Sequence, residues 1–159
     1  MLTDTQKKVL DEYNRQFKEA GYETRFKEDE GLYILQAGIE GLGEKEEGDA
    51  LMELCFVPID DEDNKDVGDA ILFQIYTTFL IDMQKKKEKD VLYGLNEINM
   101  DSLLGAYGVY SEQKQIYHRY ITLLNSSDFD QLKSEVGPAL NFILSMVYED
   151  FDRLSSLCR

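Results

Sequence analysis

The sequence has few of the residues on which catalysis and metal binding most often depend. Its 159 residues include one histidine, His118, two cysteines, Cys55 and Cys158, and no tryptophan. Two cysteines do not make a disulfide framework, and without cysteine pairs or further histidines a structural zinc site is close to excluded. Neither a GxSxG motif nor a reactive-cysteine motif is present. We therefore expect no catalytic residue, no metal and no cofactor, and a protein that is not an enzyme.

Positive charge and long apolar runs are also scarce. Lysine and arginine number 17 against 32 aspartate and glutamate residues, which gives a formal net charge of -15. Such a surface repels phosphate backbones, because nucleic-acid binding relies on basic side chains that neutralise phosphates. No apolar run approaches the roughly 20 residues of a membrane-spanning helix, and the first residues contain no apolar signal core. These absences predict a cytoplasmic protein that binds neither nucleic acid nor membranes.

The sequence does contain enough apolar residues to form one core. They make up 43% of the chain. A domain of this length buries roughly 68–70% of the surface that its unfolded chain would expose, so it needs no disulfide or metal to fold. No internal repeat, linker or low-complexity tract divides the chain. We expect a single domain over residues 1–159.

The N-terminal half changes from a helical to a strand periodicity. Apolar residues recur at helical spacing over residues 3–20, where Thr3 or Asp4 can cap the helix. The residues that follow alternate with a period of two, and the glycine-rich residues 38–49 predict a connecting loop. The alternation predicts strands at residues 22–27, 32–39, 50–57 and 70–81.

The predicted strand 70–81 is the most β-like run in the chain. Alternation places Ile75 and Phe79 on one face and Leu72 and Tyr76 on the other. A strand that is apolar on both faces is normally central in its sheet, or its second face is covered by a helix or another subunit.

The stretch 91–124 organises the rest of the chain. It begins with a helical stripe, changes to a strand period, and passes through a polar turn at residues 111–114 into a second strand. A final apolar stripe, spaced three and four apart over residues 129–154, predicts a long helix in which Gly137-Pro138 causes a kink or separates two abutting helices. The predicted fold class is α+β, with an N-terminal helix, antiparallel strands, a middle helix, a β-hairpin and a long C-terminal helix.

Three segments carry superficial binding patterns. The acidic residues 60–69 could begin an EF-hand loop, but Lys65 stands where glycine is required and Ile71 where the closing glutamate belongs. The glycines of residues 38–43 lack the GxGxxG order and do not open a helix. We interpret these as a solvated loop and a hairpin loop. The basic run 85–89 is either a solvated corner or a docking point for an acidic surface.

The hairpin concentrates aromatic residues, namely Tyr107, Tyr110, Tyr117 and Tyr120. Tyrosine favours interfaces because it has an apolar body and a polar tip, but aromatic cross-strand pairs also hold the register of hairpins. His118 lies among these tyrosines and is interpreted as a packed or surface histidine, since no nucleophile motif accompanies it.

The central segment of the chain carries a family resemblance. It reads VLYGLNEINMDSLLGAYGVYSEQKQIYHRYITLLNSSDFDQL, in which a helix ends in a Leu-Asn-x-x-Asn stretch, here Leu95, Asn96 and Asn99. A strand, a polar turn, a strand and a capped apolar helix follow. This order resembles the YbjN family, bacterial proteins whose fold is similar to that of type III secretion chaperones. With the N-terminal helix and Gly21-Tyr22, the resemblance covers most of the chain. It implies a non-enzymatic, acidic, cytosolic interaction protein, often dimeric, with a chaperone-like or regulatory role.

Charge, absent chemistry and the resemblance together predict a protein-binding module. We expect it to capture an extended polypeptide or a partner surface with apolar and aromatic sheet positions, with strand addition at an open sheet edge as one mode. The candidate partner-binding residues are Tyr76, Phe79, Tyr117 and Tyr120, and the expected assembly is a homodimer.

Two alternative functions stay open. One is a hydrolase-type enzyme whose carboxylates are brought together by the fold, because a paired-carboxylate site needs no local motif. The other is a purely structural subunit of a complex. A deep pocket with two inward-facing carboxylates would favour the enzyme, and a shallow apolar groove would favour binding.

Overall fold

The computed structural model describes residues 2–59, 70–125 and 127–159. Over these ranges the chain forms three α-helices and six β-strands, with a short 3-10 helix, Lys85–Lys87, immediately before the second α-helix. This content confirms the predicted α+β class and order of elements. In chain order the elements are α1 (Asp4–Glu19), β1 (Glu23–Asp29), β2 (Leu32–Leu42), β3 (Gly48–Val57), β4 (Ile71–Phe79), α2 (Glu88–Asp101), β5 (Ala106–Tyr110), β6 (Gln115–Leu124) and α3 (Phe129–Cys158).

The strands form one antiparallel sheet in the order β1-β2-β3-β4-β6-β5. β4 lies in the interior, where the register pairs Ile75 with Leu54 of β3 on one side and with Tyr120 of β6 on the other. The expectation that the most apolar strand is central is therefore confirmed. β1 and β5 are the two edge strands.

The hydrophobic core lies between the helices and one face of the sheet. Because side chains of a strand alternate between its two faces, each strand contributes every second residue to this core. The helices contribute stripes at helical spacing, as the sequence predicted. Core residues that are at most 1% exposed include Leu10 of α1, Leu35 of β2, Met52 and Leu54 of β3, Ile75 and Phe79 of β4, Leu95 of α2, Ile116 of β6 and Leu132 and Ile143 of α3.

The opposite face of the sheet is covered by none of the described helices. Ile34 and Cys55 are buried but lie outside the core cluster, because they point to this second face. We call it the open face. Its central positions are Ile34, Gln36, Leu51, Glu53, Cys55, Leu72, Gln74, Tyr76, Thr78, Tyr117, Arg119, Ile121 and Leu123.

Side chains cap the N-termini of the first and last helices. Thr3 accepts the backbone N–H of Gln6 at 3.1 Å, and the Gln6 side chain accepts the N–H of Thr3 at 3.0 Å, which makes a capping box. Asp128 accepts the N–H of Gln131 at 3.1 Å at the start of α3. None of the described helices combines the length and the apolar content of a membrane span.

The glycine-rich residues 38–49 depart from the predicted boundaries. β2 continues to Leu42 and β3 begins at Gly48, so most of the predicted loop is strand, joined by a short turn. The register shifts between Ile39 and Leu42, where Gly41 has a φ of 71°. Because glycine adopts positive φ without a steric penalty, β2 can bulge outward by one extra residue at this point, and pairing with β3 then resumes. The hairpin itself is confirmed.

The last helix is continuous through its proline. α3 runs from Phe129 to Cys158 with Pro138 inside it, so the expectation of two abutting helices is wrong. Proline removes a single backbone hydrogen bond. Val136 and Leu140 on either side are 1% and 5% exposed, and their burial in the core keeps both halves of the helix on the sheet.

Asn99 of α2 closes part of the outer edge of β5. Its side-chain Oδ1 accepts the N–H of Tyr107 at 2.7 Å, and its Nδ2 donates to the carbonyl of the same residue at 2.9 Å. These two backbone groups point away from β6, so the amide takes the place of a further strand. Asn99 is also the last residue of the Leu-Asn-x-x-Asn stretch, in which Asn96 is exposed.

Replacing Asn99 should destabilise the fold while replacing Asn96 should not. Asn99→Ala leaves two half-buried backbone groups without partners, and we expect it to lower the free energy of unfolding by about 2 kcal/mol in urea denaturation. Asn96→Ala removes the same side chain from an exposed position of the same helix, and its effect should stay within about 0.5 kcal/mol. Equal effects of the two substitutions would contradict the assigned role.

Candidate partner-binding surface

The structure brings two of the four predicted binding residues together. Tyr76 of β4 and Tyr117 of β6 lie side by side on the open face, with ring centroids 5.2 Å apart and an angle of 17° between the rings. Both rings are half-buried. Burial, with a smaller contribution from Tyr117, raises the pKa of Tyr76, so its phenol stays protonated and can donate a hydrogen bond at neutral pH.

The other two predicted residues lie on the helical side of the sheet. Phe79 is fully buried in the core, where its ring centroid is 6.0 Å from that of Tyr107. Tyr120 pairs with Ile75 and packs against the same core. The reason is the parity of the strands, since Phe79 is three residues from Tyr76 and Tyr120 is three residues from Tyr117. Phe79 is therefore a core residue, and the prediction that it lies on a binding surface is corrected.

A third tyrosine completes the aromatic part of the open face. Tyr110 is 44% exposed and, with Tyr76 and Tyr117, lines a shallow cleft of about 190 Å³ that also includes Glu53 and Thr78. We call Tyr76, Tyr110 and Tyr117 the tyrosine cluster. Tyr110 lies on the predicted hairpin but was not among the predicted binding residues. Its parity relative to Tyr117, across a turn of known length, was the available signal.

A glycine makes room for the ring of Tyr117. The register places Gly108 of β5 opposite Tyr117, and a Cβ atom at position 108 would lie 2.5 Å from the phenol oxygen. The ring therefore lies across the backbone of the edge strand. This contact fixes the position of the ring at the rim of the open face.

Polar side chains in the middle of the open face form two hydrogen-bonded groups, which we together call the polar row. Arg25 donates through Nε to Gln36 at 2.5 Å, and Gln36 donates to a carboxylate oxygen of Glu53 at 2.5 Å. Arg119 donates through Nε to Gln74 at 2.8 Å. Gln36 is buried with both partners in place, which satisfies its amide group. These hydrogen bonds pair long polar side chains of the open face with one another.

The charge in this row differs from that of the whole chain. Two guanidinium groups, those of Arg25 and Arg119, flank the single carboxylate of Glu53, whereas the chain as a whole has 32 acidic against 17 basic residues. An apolar or acidic segment therefore meets less repulsion here than elsewhere on the protein. Beside the row, Ile121 and Leu123 are 39% and 47% exposed and continue the apolar part of the face.

Both edges of the sheet have features that hinder the addition of a further strand. The edge of β5 is occupied at Tyr107 by the Asn99 amide. The edge strand β1 carries charged residues at five of its seven positions, and its Lys27 forms an exposed ion pair with Asp29 at 2.6 Å. Charged side chains on an edge strand discourage pairing with another chain.

His118 is a core residue at the other side of β6. It is 1% exposed, its Nε2 is 2.9 Å from the carbonyl oxygen of Leu104, and Tyr107 contacts it edge-on with ring centroids 4.9 Å apart. Because a carbonyl only accepts, Nε2 carries the hydrogen, and the buried Nδ1 has no hydrogen-bond partner among the described residues. Burial lowers the pKa of this imidazole, although Leu104 and Asp150 oppose the shift. The interpretation of His118 as a packed histidine is confirmed.

An open cleft lined by several carboxylates has a volume of about 510 Å³ and lies between the β2–β3 turn and the end of α3. Its acidic lining residues are Glu44, Glu47, Asp82 and Asp152. One oxygen of Asp152 accepts the backbone N–H of Glu44 at 2.9 Å, which is a structural role. Nearby Cys158 is buried, and burial raises its thiol pKa. Among the acidic residues of the cleft, Asp152 thus holds the β2–β3 turn against α3.

Within the described ranges, no group of three or more histidine, cysteine, aspartate or glutamate side chains could hold a metal ion. The acidic residues 60–69, which raised the question of a calcium loop, lie outside the described residues. Burial raises the pKa of the Cys55 thiol to about 11, so this cysteine is protonated at neutral pH and is a poor nucleophile or metal ligand.

Comparison with known proteins assigns the chain to no family. No family model matches the sequence, and no curated protein matches it. The geometry of the described residues is therefore the basis on which a function is proposed.

The buried histidine should make stability depend on pH. In the unfolded chain His118 takes up a proton near pH 6.5, but in the folded protein its pKa is lower, so acidification favours the unfolded state. We expect wild type to lose stability relative to His118→Gln as the pH falls below about 6.5, by at most about 1.4 kcal/mol per pH unit. Urea denaturation at several pH values between about 8 and 5 measures this.

The difference between the two proteins is the informative quantity in this experiment. All carboxylates are shared by wild type and variant, so their titration cancels in the difference. Glutamine can still donate to the Leu104 carbonyl, which keeps the one hydrogen bond of the imidazole. A difference in stability that stays constant from pH 8 to pH 5 would show that His118 is accessible to protons in the folded state.

Proposed function

We propose that this chain is a non-enzymatic protein-binding module that captures a polypeptide segment of a partner protein on its open face, in a chaperone-like or regulatory role. The observation that carries the proposal is the stacked pair of Tyr76 and Tyr117 on a sheet face that none of the described helices covers. Tyrosine is enriched at binding surfaces because a rigid ring supplies apolar area and its hydroxyl a hydrogen bond.

The shape and chemistry of the open face support a peptide rather than a small molecule. The tyrosine cluster lines a cleft of about 190 Å³, which is below the roughly 300 Å³ at which ligand pockets begin. Apolar contact continues from the cluster to Ile121 and Leu123, which are 39% and 47% exposed. A segment laid along β6 would place one side chain at the cluster and another on this apolar part.

The polar row supports specific binding of such a segment. Arg119 and Gln74 are already paired with each other, as are Gln36 and Glu53, so a partner does not have to order these side chains. Side chains that are ordered before binding reduce the entropic cost of association. The guanidinium groups of the row favour a segment that is apolar with neutral or acidic polar residues.

The resemblance to the YbjN family agrees with this proposal and adds a second partner, another copy of the chain. A homodimer that used the open face would pack two sheets face to face. The net charge of -15 on each chain opposes this association at low ionic strength. We therefore propose a partner polypeptide as the occupant, and the oligomeric state tests the alternative.

Peptides selected from a random display library against the wild-type protein test the proposal. We expect Tyr76→Ala/Tyr117→Ala to weaken binding of the selected peptides at least about tenfold, because buried aromatic anchors carry most of the energy of an interface. The single variant Ile121→Ser should weaken binding less. Fluorescence anisotropy with labelled peptides measures both, and circular dichroism checks that the sheet remains folded.

The matched control is Tyr93→Ala. Tyr93 is 72% exposed on α2, on the helical side of the molecule, so its loss should leave affinity unchanged. Selected peptides that bind the double variant as tightly as wild type would refute capture on the open face. A dimer in sedimentation experiments that Ile121→Asp dissociates would assign this face to a second copy instead.

A further inference from the structure

A second apolar surface lies on the helical side of the molecule, opposite the open face. Leu103, just after α2, and Met100 in its last turn are each 80% exposed. Leu103 lines a groove with Phe142 and Met146 of α3, and Ile98 also contributes to it. We call this the helical groove. Exposed apolar residues are ordinary when scattered singly, but a group of them around one concavity marks an interaction site.

The size of the helical groove indicates what it can accept. Its volume is about 170 Å³, which is below the roughly 300 Å³ at which small-molecule pockets begin. A groove of this size suits one large apolar side chain of a protein partner. Met146, at its side, has an unbranched and polarizable side chain that adapts to different shapes.

The rim of the groove is acidic. Asp101, Glu149 and Asp150 line it together with one base, Arg153. Asp150 is held in place by a hydrogen bond from the Tyr107 hydroxyl, so part of this negative charge is fixed. Basic side chains on either side of an apolar anchor would complement this rim.

The backbone around the groove limits the conformation of the occupant. Its lining comes from the end of α2, the residues that follow it and the middle of α3. Helices use their backbone groups internally, so this lining offers no row of donors and acceptors to an extended strand. An occupant that satisfies its own backbone hydrogen bonds, namely a helix, loses nothing by docking here.

We propose that the helical groove docks a basic amphipathic helix of a partner protein, with an apolar side chain of that helix between Leu103, Phe142 and Met146 and its lysine or arginine residues against Asp101 and Glu149. The groove and the open face lie on opposite sides of the sheet, so this interaction is separate from capture of a polypeptide on the open face.

A designed peptide of leucine and lysine, arranged so that the leucines form one face of a helix, is the probe. We expect wild type to bind the labelled peptide in fluorescence anisotropy, and Leu103→Ser/Phe142→Ser to weaken binding at least about tenfold. Asp101→Asn/Glu149→Gln should also weaken binding and reduce its dependence on salt. Leu103 and Phe142 are 80% and 39% exposed, so their replacement by serine should preserve the fold, which a thermal melt checks.

Two controls separate docking from general attraction to a negative protein. A peptide with the same residues in scrambled order has no apolar face, and it should bind much more weakly than the probe. Leu92→Ser/Tyr93→Ser removes a leucine and an aromatic residue that are 45% and 72% exposed elsewhere on α2, and it should leave the affinity for the probe unchanged. Equal affinity for the scrambled peptide, or no effect of Leu103→Ser/Phe142→Ser, would overturn the proposal.

Discussion

The whole architecture depends on burial of one face of the sheet under a single layer of helices. Phe79, Ile75 and Met52 are fully buried there against side chains of all three helices. Burying side chains of this size is worth about 1.5–3 kcal/mol each. None of the described helices packs on the open face, so its residues are constrained by strand register and by their neighbours on the same face.

The open face is nevertheless ordered, because its side chains satisfy one another. Gln36 is buried between Arg25 and Glu53, and the Tyr117 ring rests over Gly108. Antiparallel sheets commonly have one solvated face, and that face usually carries polar residues. Here aromatic rings are stacked and long polar side chains are paired before a partner is present. Such preorganisation is expected of a surface that binds, since it lowers the entropy lost on association.

The fold was largely predictable from the periodicity of apolar residues. The set of residues on the open face was only partly predictable. Alternation in residues 70–81 separated Tyr76 from Phe79 correctly, but aromatic character alone made both attractive as binding residues. Which face the helices cover depends on long-range packing that no local pattern contains. The bulge at Gly41 was missed for the same reason, since a sheet ladder overrode a local breaker. At Pro138 the buried stripe keeps the helix continuous, which contradicts the expectation of two abutting helices but not that of a kink. Asn99 was part of the Leu-Asn-x-x-Asn stretch noted in the sequence, but its hydrogen bond to Tyr107 of β5 depends on tertiary packing that the sequence does not show.

The two proposed binding surfaces differ in the kind of backbone they present, and under these proposals each surface would take a different kind of partner. The open face is made of strands with paired arginine and glutamine side chains, and its cluster of tyrosines suits a segment lying across it. The helical groove is made of helix side chains under an acidic rim, so it favours a basic segment that is already helical. The sheet and its core lie between them, which keeps either occupant from touching the other. A protein that uses both surfaces would hold two segments at once, and the affinity for two linked segments would exceed that for either alone.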